Sequence, residues 1–263
     1  MPEQKTAWRK TAGRIKRRLT RLAGKPPKQS AKKTAKKATQ KKPAVTPVHP
    51  VVSEVRKLKL TYLPVGALND LYEAAVAADE TGRPGVFLEA GCALGGSAMV
   101  LTQAKAPVRP LYIYDVFGMI PPPTERDGPD VHRRYEAIAA GDARGVGGET
   151  YYGYRADLYG EVTESFTRLG VPAEECNVEL VQGLFEDTIE LDEPIALAHL
   201  DGDWYESTMT CLERIAPLIV PGGRIVLDDY FQWSGCRVAV DEYFAGRDEF
   251  RFERRSKLHV VRS

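Results

Sequence analysis

Residues 85–98, GVFLEAGCALGGSA, decide the fold class of this 263-residue chain. The apolar run 85–90 predicts a buried strand, and the glycines after it predict a tight turn that opens a helix. The rest of the chain repeats this alternation. Strands are predicted at 110–115, 177–183, 195–201 and 224–230, helices at 66–80, 95–104 and 207–219, and a last helix and strand pair within 237–262. Strands that alternate with helices predict an α/β fold with a mostly parallel sheet.

The glycine turn and two acidic residues predict a cofactor site. The glycines of the turn have the spacing G-x-x-x-G-G, which differs from the G-x-G-x-x-G of nicotinamide dinucleotide sites. Glu89, just before the first glycine, would repel a pyrophosphate and suits a cationic ligand that carries an amino acid. Asp115 ends the second strand, where an acid can accept both ribose hydroxyls of an adenosine. Many α/β folds have a glycine turn only because the helix and strand pack closely there. Together with the two acids, however, the turn favours S-adenosylmethionine over NAD as the cofactor.

Two acidic clusters follow later strands, HLDGDWYEST at 199–208 and LDDY at 227–230. The carboxyl ends of neighbouring parallel strands open onto one crevice, so Asp201 and the Asp228–Asp229 pair are expected to converge. Three adjacent carboxylates repel one another unless a cation or protons join them. Oxygen ligands favour a hard divalent ion, above all Mg²⁺. The alternative is that Asp228 and Asp229 only cap a following turn.

These segments also carry a family resemblance. DGDWYEST, then P-x-x-x-x-GG-x-x-x-x-DDY at 217–230 and W-x-G-C-R-x-A-V-D-E-Y at 233–243, resemble the macrocin O-methyltransferase family over about residues 60–245. The resemblance implies a Rossmann-like class I methyltransferase fold, a mostly parallel seven-stranded sheet with helices on both faces. It also implies an O-methyltransferase that uses S-adenosylmethionine and Mg²⁺. The acceptor would be a sugar hydroxyl of a glycan, a glycolipid or a glycosylated natural product.

The resemblance implies roles for individual residues by position. The cofactor would be bound by Thr61, Tyr62, Glu89, Gly91, Ser97, Asp115, Phe117 and Gly183. The metal would be held by Asp201, Asp228 and Asp229. Asp203 is the favoured general base, and Asp201 is the alternative in some relatives. Tyr205 and Glu206 follow the metal loop and are candidates for contact with the acceptor.

Other interpretations of these residues stay open. His132 and His199 are alternative bases, although His199 lies within an apolar strand and is more typical of a core residue. A phenol or catechol acceptor is a second hypothesis, but related enzymes have a lysine where this chain has Trp204. A third hypothesis, nucleic-acid binding through the basic N-terminal segment, makes the remaining domain a scaffold, and we do not expect it. The sequence leaves a monomer or a homo-oligomer open.

The charge of the chain is divided sharply. Residues 1–50 hold 16 Lys and Arg and one acid, a net charge of +15, whereas residues 51–263 hold 21 Lys and Arg and 35 acids, a net charge of −14. Residues 24–50 lack large apolar side chains and predict a disordered linker. Residues 7–23 have helical spacing of Trp8, Ile15, Leu19 and Leu22 among basic residues, which suits an anionic membrane surface or a solvated tail equally.

The domain predicted at 51–263 contains a polar insertion at about 118–160, either a lid over the acceptor or a solvated surface loop. The chain has neither a signal-peptide pattern nor an apolar stretch of membrane-spanning length. Its four cysteines are widely spaced, without a metal-binding CxxC pair. We therefore expect a cytoplasmic protein, peripheral to the membrane if the basic segment binds lipid.

Overall fold

The computed structural model describes residues 47–263, which form a seven-stranded sheet covered by helices. The strands are β1 Val86–Ala90, β2 Leu111–Asp115, β3 Val178–Gln182, β4 Ile195–Leu200, β5 Ile219–Leu227, β6 Phe250–Arg254 and β7 Leu258–Arg262. Their order is β3-β2-β1-β4-β5-β7-β6, with the first five parallel and β7 antiparallel to both β5 and β6. The predicted mostly parallel sheet is confirmed.

Helices cover both faces of the sheet, as predicted. The α-helices of the described residues are α1 Pro50–Lys57, α2 Val65–Glu80, α3 Gly96–Ala104, α4 Pro129–Ala139, α5 Leu158–Arg168, α6 Phe185–Thr188, α7 Tyr205–Ile215 and α8 Ser234–Phe244. One core cluster joins α1, α2, α3 and α5 to the sheet, and a second joins α7 and α8 to its other face. Helix α4 belongs to a third cluster, which joins the insertion to Trp204.

Some boundaries differ from the predicted ones for local reasons. Helix α1 was not predicted; it begins with Pro50, whose missing N–H suits a first helical turn. Helix α7 ends at Ile215 rather than 219, and residues 216–218 continue as a 3₁₀ turn, because Pro217 has no N–H to donate to the carbonyl four residues before it. Strand β5 begins at Ile219, earlier than predicted, and its pairing with β4 contains a register shift.

The topology places a crevice at the carboxyl ends of β1 and β4. The chain leaves β1 towards β2 and β3 on one side, while β4 and β5 lie on the other, so the strand order reverses there. Ligands of open α/β sheets bind at such a point. The predictions for the basic segment up to residue 46 lie outside the described residues. Across residues 47–263, no helix has the length and apolar character needed to cross a membrane.

Candidate active site

The glycine turn after β1 joins the two halves of the crevice. Gly91 has a φ of 88°, and a Cβ there would lie 2.1 Å from the carbonyl oxygen of Asp201. Only glycine allows this approach, because the left-handed conformation and the contact both exclude a side chain. The Asp201 N–H in turn donates to the Ala90 carbonyl at 2.8 Å. The turn predicted to bind the cofactor therefore lies directly against the loop that carries the first acidic cluster.

Asp115 lines the same cavity and organises the glycine turn. Its Oδ2 accepts the N–H groups of Cys92 at 2.7 Å and Ala93 at 3.0 Å, and its Oδ1 accepts that of Phe117 at 2.7 Å. Ala93 and Phe117 both have a φ of 47°, a conformation that side chains disfavour. Burial raises the pKa of Asp115, although the three N–H donors oppose the rise. The carboxylate thus holds two strained residues beside the position predicted for the ribose.

We expect Asp115→Ala to weaken S-adenosylmethionine binding at least about tenfold, the equivalent of 1.4 kcal/mol. The variant loses an acceptor for the ribose and also three backbone hydrogen bonds of the turn. Calorimetric titration of the wild type and the variant measures the change, and Asp248→Ala, an exposed acid, is the control. Equal dissociation constants for wild type and Asp115→Ala would show that the adenosine lies elsewhere.

Three carboxylates of the predicted metal loop regions converge in the crevice. Each of Asp201, Asp203 and Asp229 offers an oxygen, and these oxygens lie within 4.8 Å of one another. The Asp203 N–H donates to Asp229 Oδ2 at 3.0 Å. Asp203 has a φ of 54°, and the Trp204 N–H donates to the Gly202 carbonyl at 2.5 Å, which makes a γ-turn of the rare strained type. Strained backbone of this kind concentrates at functional sites.

The fourth acid, Asp228, has different neighbours. Lys257 Nζ donates to its Oδ2 and to its carbonyl oxygen, both at 2.9 Å, and His199 Nε2 lies 3.9 Å from its Oδ1. Although burial opposes the effect, His199 and Lys257 hold the pKa of Asp228 below its usual range. The predicted metal set and the observed cluster therefore share Asp201 and Asp229, and they differ in whether Asp228 or Asp203 is the third member.

The cluster is electrostatically suited to a cation. Burial, followed by repulsion from Asp229 and Asp228, raises the pKa of both Asp201 and Asp203 well above the usual range. Burial and the nearby Asp228 raise the pKa of Asp229 to about 6. Carboxylates that resist ionisation together are stabilised by a positive charge between them. Oxygens around an octahedral Mg²⁺ lie up to about 4.2 Å apart, so a small closure of the cluster fits this ion.

Glu89 differs from its predicted role as a direct cofactor ligand. It is fully buried, lies outside the cavity wall, and its Oε1 contacts His199 Nδ1 at 2.7 Å across the β1–β4 pair. Burial lowers the pKa of His199, but the adjacent carboxylates of Asp228 and Glu89 outweigh this effect and raise the pKa to about 9. His199 and His132 are both outside the cavity wall, so neither is placed to act as the base.

The insertion at 118–160 forms one wall of a cavity of about 590 Å³. Its contributions to that wall are Ile120, Pro121, Arg134, Ile138, Tyr151 and Tyr152. Trp204 packs beneath it, with its indole N–H donating to the Pro121 carbonyl at 2.9 Å. Asp127 Oδ1 accepts the first N–H of α7, from Tyr205, at 2.8 Å, and Asp130 Oδ2 accepts that of α8, from Ser234, at 2.9 Å. The insertion thus covers the crevice rather than extending into solvent.

The structure divides the predicted site residues into two groups. Those that line the cavity are Tyr62, Gly91, Asp115, Asp201, Asp203, Asp228 and Asp229. Those that do not are Thr61, Glu89, Ser97, Phe117, Gly183, Tyr205 and Glu206. Thr61 and Ser97 are buried, with the Thr61 hydroxyl accepting the Leu63 N–H. The Phe117 ring packs edge-on to Tyr159, and the Gly183 N–H donates to the Asp115 carbonyl.

The two predicted acceptor contacts, Tyr205 and Glu206, do not face the cavity. The Tyr205 hydroxyl donates to Glu242 Oε2 at 2.7 Å and accepts from Arg126 at 2.9 Å, while Glu206 is exposed on α7. These residues follow the metal loop in sequence, but the first turn of α7 directs them away. Trp233 does line the cavity, and it also packs edge-on against Trp204, with ring centroids 5.9 Å apart.

Several residues of the cavity were not predicted. Ala93, Val116, Leu184, Phe185 and Glu186 complete the wall at the glycine turn, and Lys257 reaches Asp228 from the loop between β6 and β7. The turn residues could have been found by extending each strand end by one to four positions. Lys257 carries no such signal, because the strand pair that presents it is distant in sequence.

Comparisons with known proteins identify the family of this chain. The macrocin O-methyltransferase (TylF) family matches residues 23–249, which includes half of the basic segment that we expected to lie outside the resemblance. Mycinamicin III 3''-O-methyltransferase of Micromonospora griseorubida is 28% identical over 70% of this chain and 69% of its own length. An 8-demethyl-8-(2,3-dimethoxy-alpha-L-rhamnosyl)-tetracenomycin-C 4'-O-methyltransferase of Streptomyces olivaceus is 31% identical over 62% of this chain, but the match spans only 59% of that enzyme.

A solved structure shows the same fold. The O-methyltransferase NovP superposes with a TM-score of 0.62 over 80% of this chain and 88% of its own, at 24% sequence identity. Such identity supports the fold alone, which is the predicted Rossmann-like class I methyltransferase fold. With a family match over most of the chain, the protein is an S-adenosylmethionine-dependent O-methyltransferase that belongs to the macrocin O-methyltransferase family.

Proposed function

We propose that this protein methylates a sugar hydroxyl of a glycan, a glycolipid or a glycosylated small molecule, with S-adenosylmethionine as methyl donor and Mg²⁺ as metal cofactor. One observation carries the proposal: the carboxylates of Asp201, Asp203 and Asp229 converge in the same cavity as the glycine turn. The relatives support the acceptor class, because one is named for a rhamnosyl derivative of tetracenomycin C and another for mycinamicin III.

The two ends of the cavity divide the binding roles. Gly91, Ala93 and Asp115 would hold the methyl donor, with Tyr62 closing over it. Asp201 and Asp229 would hold the divalent ion, together with Asp203 or Asp228. When bound, the donor supplies an electrophilic methyl group, and the ion supplies a Lewis acid that lowers the pKa of the acceptor hydroxyl.

Asp203 is the residue we propose as general base. Its carboxylate lies in the cavity beneath the wall formed by the insertion, and burial keeps its pKa well above that of an ordinary aspartate. Once ionised beside the cation, a carboxylate with a raised pKa accepts a proton more readily, so an Asp203 oxygen would take the proton of the acceptor hydroxyl. Trp204, where catechol-type enzymes have lysine, is buried beneath the insertion, which argues against the phenol hypothesis.

The acceptor side of the cavity is largely aromatic. Tyr151 and Tyr152 line it, and Arg134 lies over the Tyr151 ring with its guanidinium carbon 5.6 Å from the ring centroid. Aromatic rings offer apolar faces to the C–H groups of a sugar, while the tyrosine hydroxyls and the guanidinium supply hydrogen bonds. The wall thus combines the two kinds of contact that a sugar ring needs.

A methyl-transfer assay tests the proposed function. The full-length protein is incubated with isotope-labelled S-adenosylmethionine, Mg²⁺ and a panel of glycosides, with catechol and its derivatives as the competing class. We expect label on a sugar oxygen, located by tandem mass spectrometry, and no label on catechol. Methylation of the catechols in preference to all glycosides would contradict the proposal.

We propose that the basic segment localises the enzyme at anionic membranes rather than contributing to catalysis. The excess of +15 in residues 1–50 supports this, since each basic residue near an anionic bilayer contributes about 1 kcal/mol. Because His49 stacks on Tyr72 at 3.8 Å, deletion should stop at residue 46. We expect the deletion variant to retain turnover on a soluble acceptor and to lose sedimentation with anionic vesicles at low salt. Equal sedimentation of both forms would contradict the membrane role.

A further inference from the structure

A second concave site lies on the face of the sheet that α2 covers, between α2 and the strands β5, β7 and β6. We call it the arginine groove, because its walls contain Arg83, Arg224, Arg251 and Arg255. It has a volume of about 380 Å³, and small residues of α2, Ala74 and Ala77, form its helical wall. The groove also includes residues near the starts of β4 and β5, so it lies at the opposite end of these strands from the methyl-transfer cavity.

The groove has more cations than anions. Glu253 Oε2 contacts Arg224 Nη1 at 2.7 Å, Glu253 Oε1 contacts Arg251 Nη2 at 2.9 Å, and Arg255 Nη2 lies 3.6 Å from Oε2. Three guanidinium groups thus share one carboxylate. Glu73 is the acid of the walls, so the four arginines exceed Glu73 and the adjacent Glu253 by two charges. Residues 51–263 carry a net charge of −14, so this positive site stands out against the rest of the domain.

Nearby titratable groups report the same positive field. His259 is fully buried, and its Nδ1 accepts from Arg224 Nη1 at 3.0 Å, because a guanidinium can only donate. Burial, followed by repulsion from Arg224 and Arg255, lowers the pKa of His259 to about 4, so the ring stays neutral. The remaining ring atom, Nε2, has no hydrogen-bond partner within residues 47–263. Asp70 on α2 is the other acid that faces this histidine.

Arg83 adds donors without a matching acid. Across residues 47–263, no carboxylate oxygen lies within 4.0 Å of its guanidinium nitrogens, whereas its carbonyl accepts from Arg109. Its side chain lies against Gly222, where a Cβ would stand 3.0 Å from Nη2. Each guanidinium has five N–H donors in a planar fork, and one shared carboxylate satisfies few of them. The groove therefore presents several guanidinium donors for an anion.

We propose that the arginine groove binds a phosphate-bearing anion. Planar guanidinium forks match phosphate oxygens in pairs, and a site with several arginines provides charge-assisted hydrogen bonds on more than one side. The phosphate would belong either to a soluble compound, such as a nucleotide or a diphosphate, or to the headgroup of a membrane lipid. This inference does not depend on the proposed sugar acceptor.

Pyrophosphate titration of the full-length protein tests the site. The groove variant is Arg83→Gln with Arg251→Gln, because the Arg251 side chain is 57% exposed and the change should leave the fold intact. The control is Arg247→Gln with Arg254→Gln, which removes the same charge from positions where the arginines lie over Tyr243 and Phe231. Calorimetry is performed at constant ionic strength, without divalent ions, and all forms keep the basic N-terminal segment.

We expect the groove variant to lose at least about tenfold in pyrophosphate affinity and the control to stay within about twofold of the wild type. A parallel arm uses phosphatidylcholine vesicles with and without phosphatidic acid. Weaker vesicle binding by the groove variant alone identifies a lipid headgroup, and a difference for pyrophosphate alone identifies a soluble anion. Either result supports the site. Groove and control variants that match each other in both arms would overturn it.

Discussion

Asp203→Asn is expected to lower kcat by about 10²- to 10⁴-fold, the range that a positioned general base contributes. Asparagine keeps the size of the side chain but does not accept a proton from the acceptor hydroxyl. The γ-turn at Asp203 and its N–H bond to Asp229 do not depend on the carboxylate, so the loop should keep its conformation. Single-turnover measurement of methyl transfer, with S-adenosylmethionine affinity determined separately, gives the comparison.

The matched control for Asp203→Asn is Glu206→Gln, three residues along the chain. Glu206 is exposed and lies outside the cavity wall, so this change of one acid to its amide should leave kcat within about twofold. If Asp203→Asn retains wild-type turnover, the base is a different group, and Asp201 is then the first alternative. If both variants lose turnover equally, the loss reflects charge near α7 rather than proton transfer.

Asp229→Asn is expected to abolish turnover and to weaken Mn²⁺ or Mg²⁺ binding by more than about tenfold. Removal of a residue that only hydrogen-bonds to a metal ligand lowers metal affinity about 10- to 100-fold. Asp229 is a direct ligand in both candidate sets, so its removal should cost at least as much. EDTA should inactivate the wild type, and added Mg²⁺ should restore it. Manganese paramagnetic resonance measures binding without requiring turnover. Full wild-type activity in excess EDTA is the outcome that contradicts the metal hypothesis.

The same titration distinguishes the two candidate metal sets. If Asp201, Asp203 and Asp229 hold the ion, Asp203→Asn weakens Mn²⁺ binding and Asp228→Asn leaves it nearly unchanged. If Asp228 is a ligand, as predicted from the sequence, the result is reversed, and the Lys257 contact with Asp228 must open when the ion binds. Asp203 follows β4 and Asp228 follows β5. Each variant changes one carboxylate to its amide, so comparing the two Mn²⁺ affinities is sufficient.

Stability measured against pH gives a readout that is independent of activity. Folding raises the pKa of Asp229 from about 4 to about 6, which disfavours its ionised form in the folded protein. The cost is absent below pH 4 and complete above pH 6, and it corresponds to about 3 kcal/mol. Without metal, the wild type should therefore lose Tm relative to Asp229→Asn as the pH rises from 4 to 6. A difference in Tm that does not change with pH contradicts this account.

Much of the site was predictable because it lies at strand ends. The carboxyl ends of parallel strands share one edge of a sheet, so recognising the strands before Gly91, Asp115, Asp201 and Asp228 was enough to bring these residues together. The predicted set and the cavity wall differ where the prediction extended along the chain from a residue at a strand end. Tyr205 and Glu206 follow the metal loop, but the first turn of a helix directs successive side chains to different sides.

The sequence by itself determined the α/β class, the parallel order of elements and the edge of the sheet where the cavity lies. These features depend on hydrophobic periodicity, glycine turns and short-range connections, which are local properties of the chain. Only the tertiary structure decided that Glu89 contacts His199 rather than the cavity, that Lys257 reaches Asp228, and that the insertion lines the cavity. Each of these contacts joins residues far apart in sequence, and the geometry that brings them together is set by packing across the sheet.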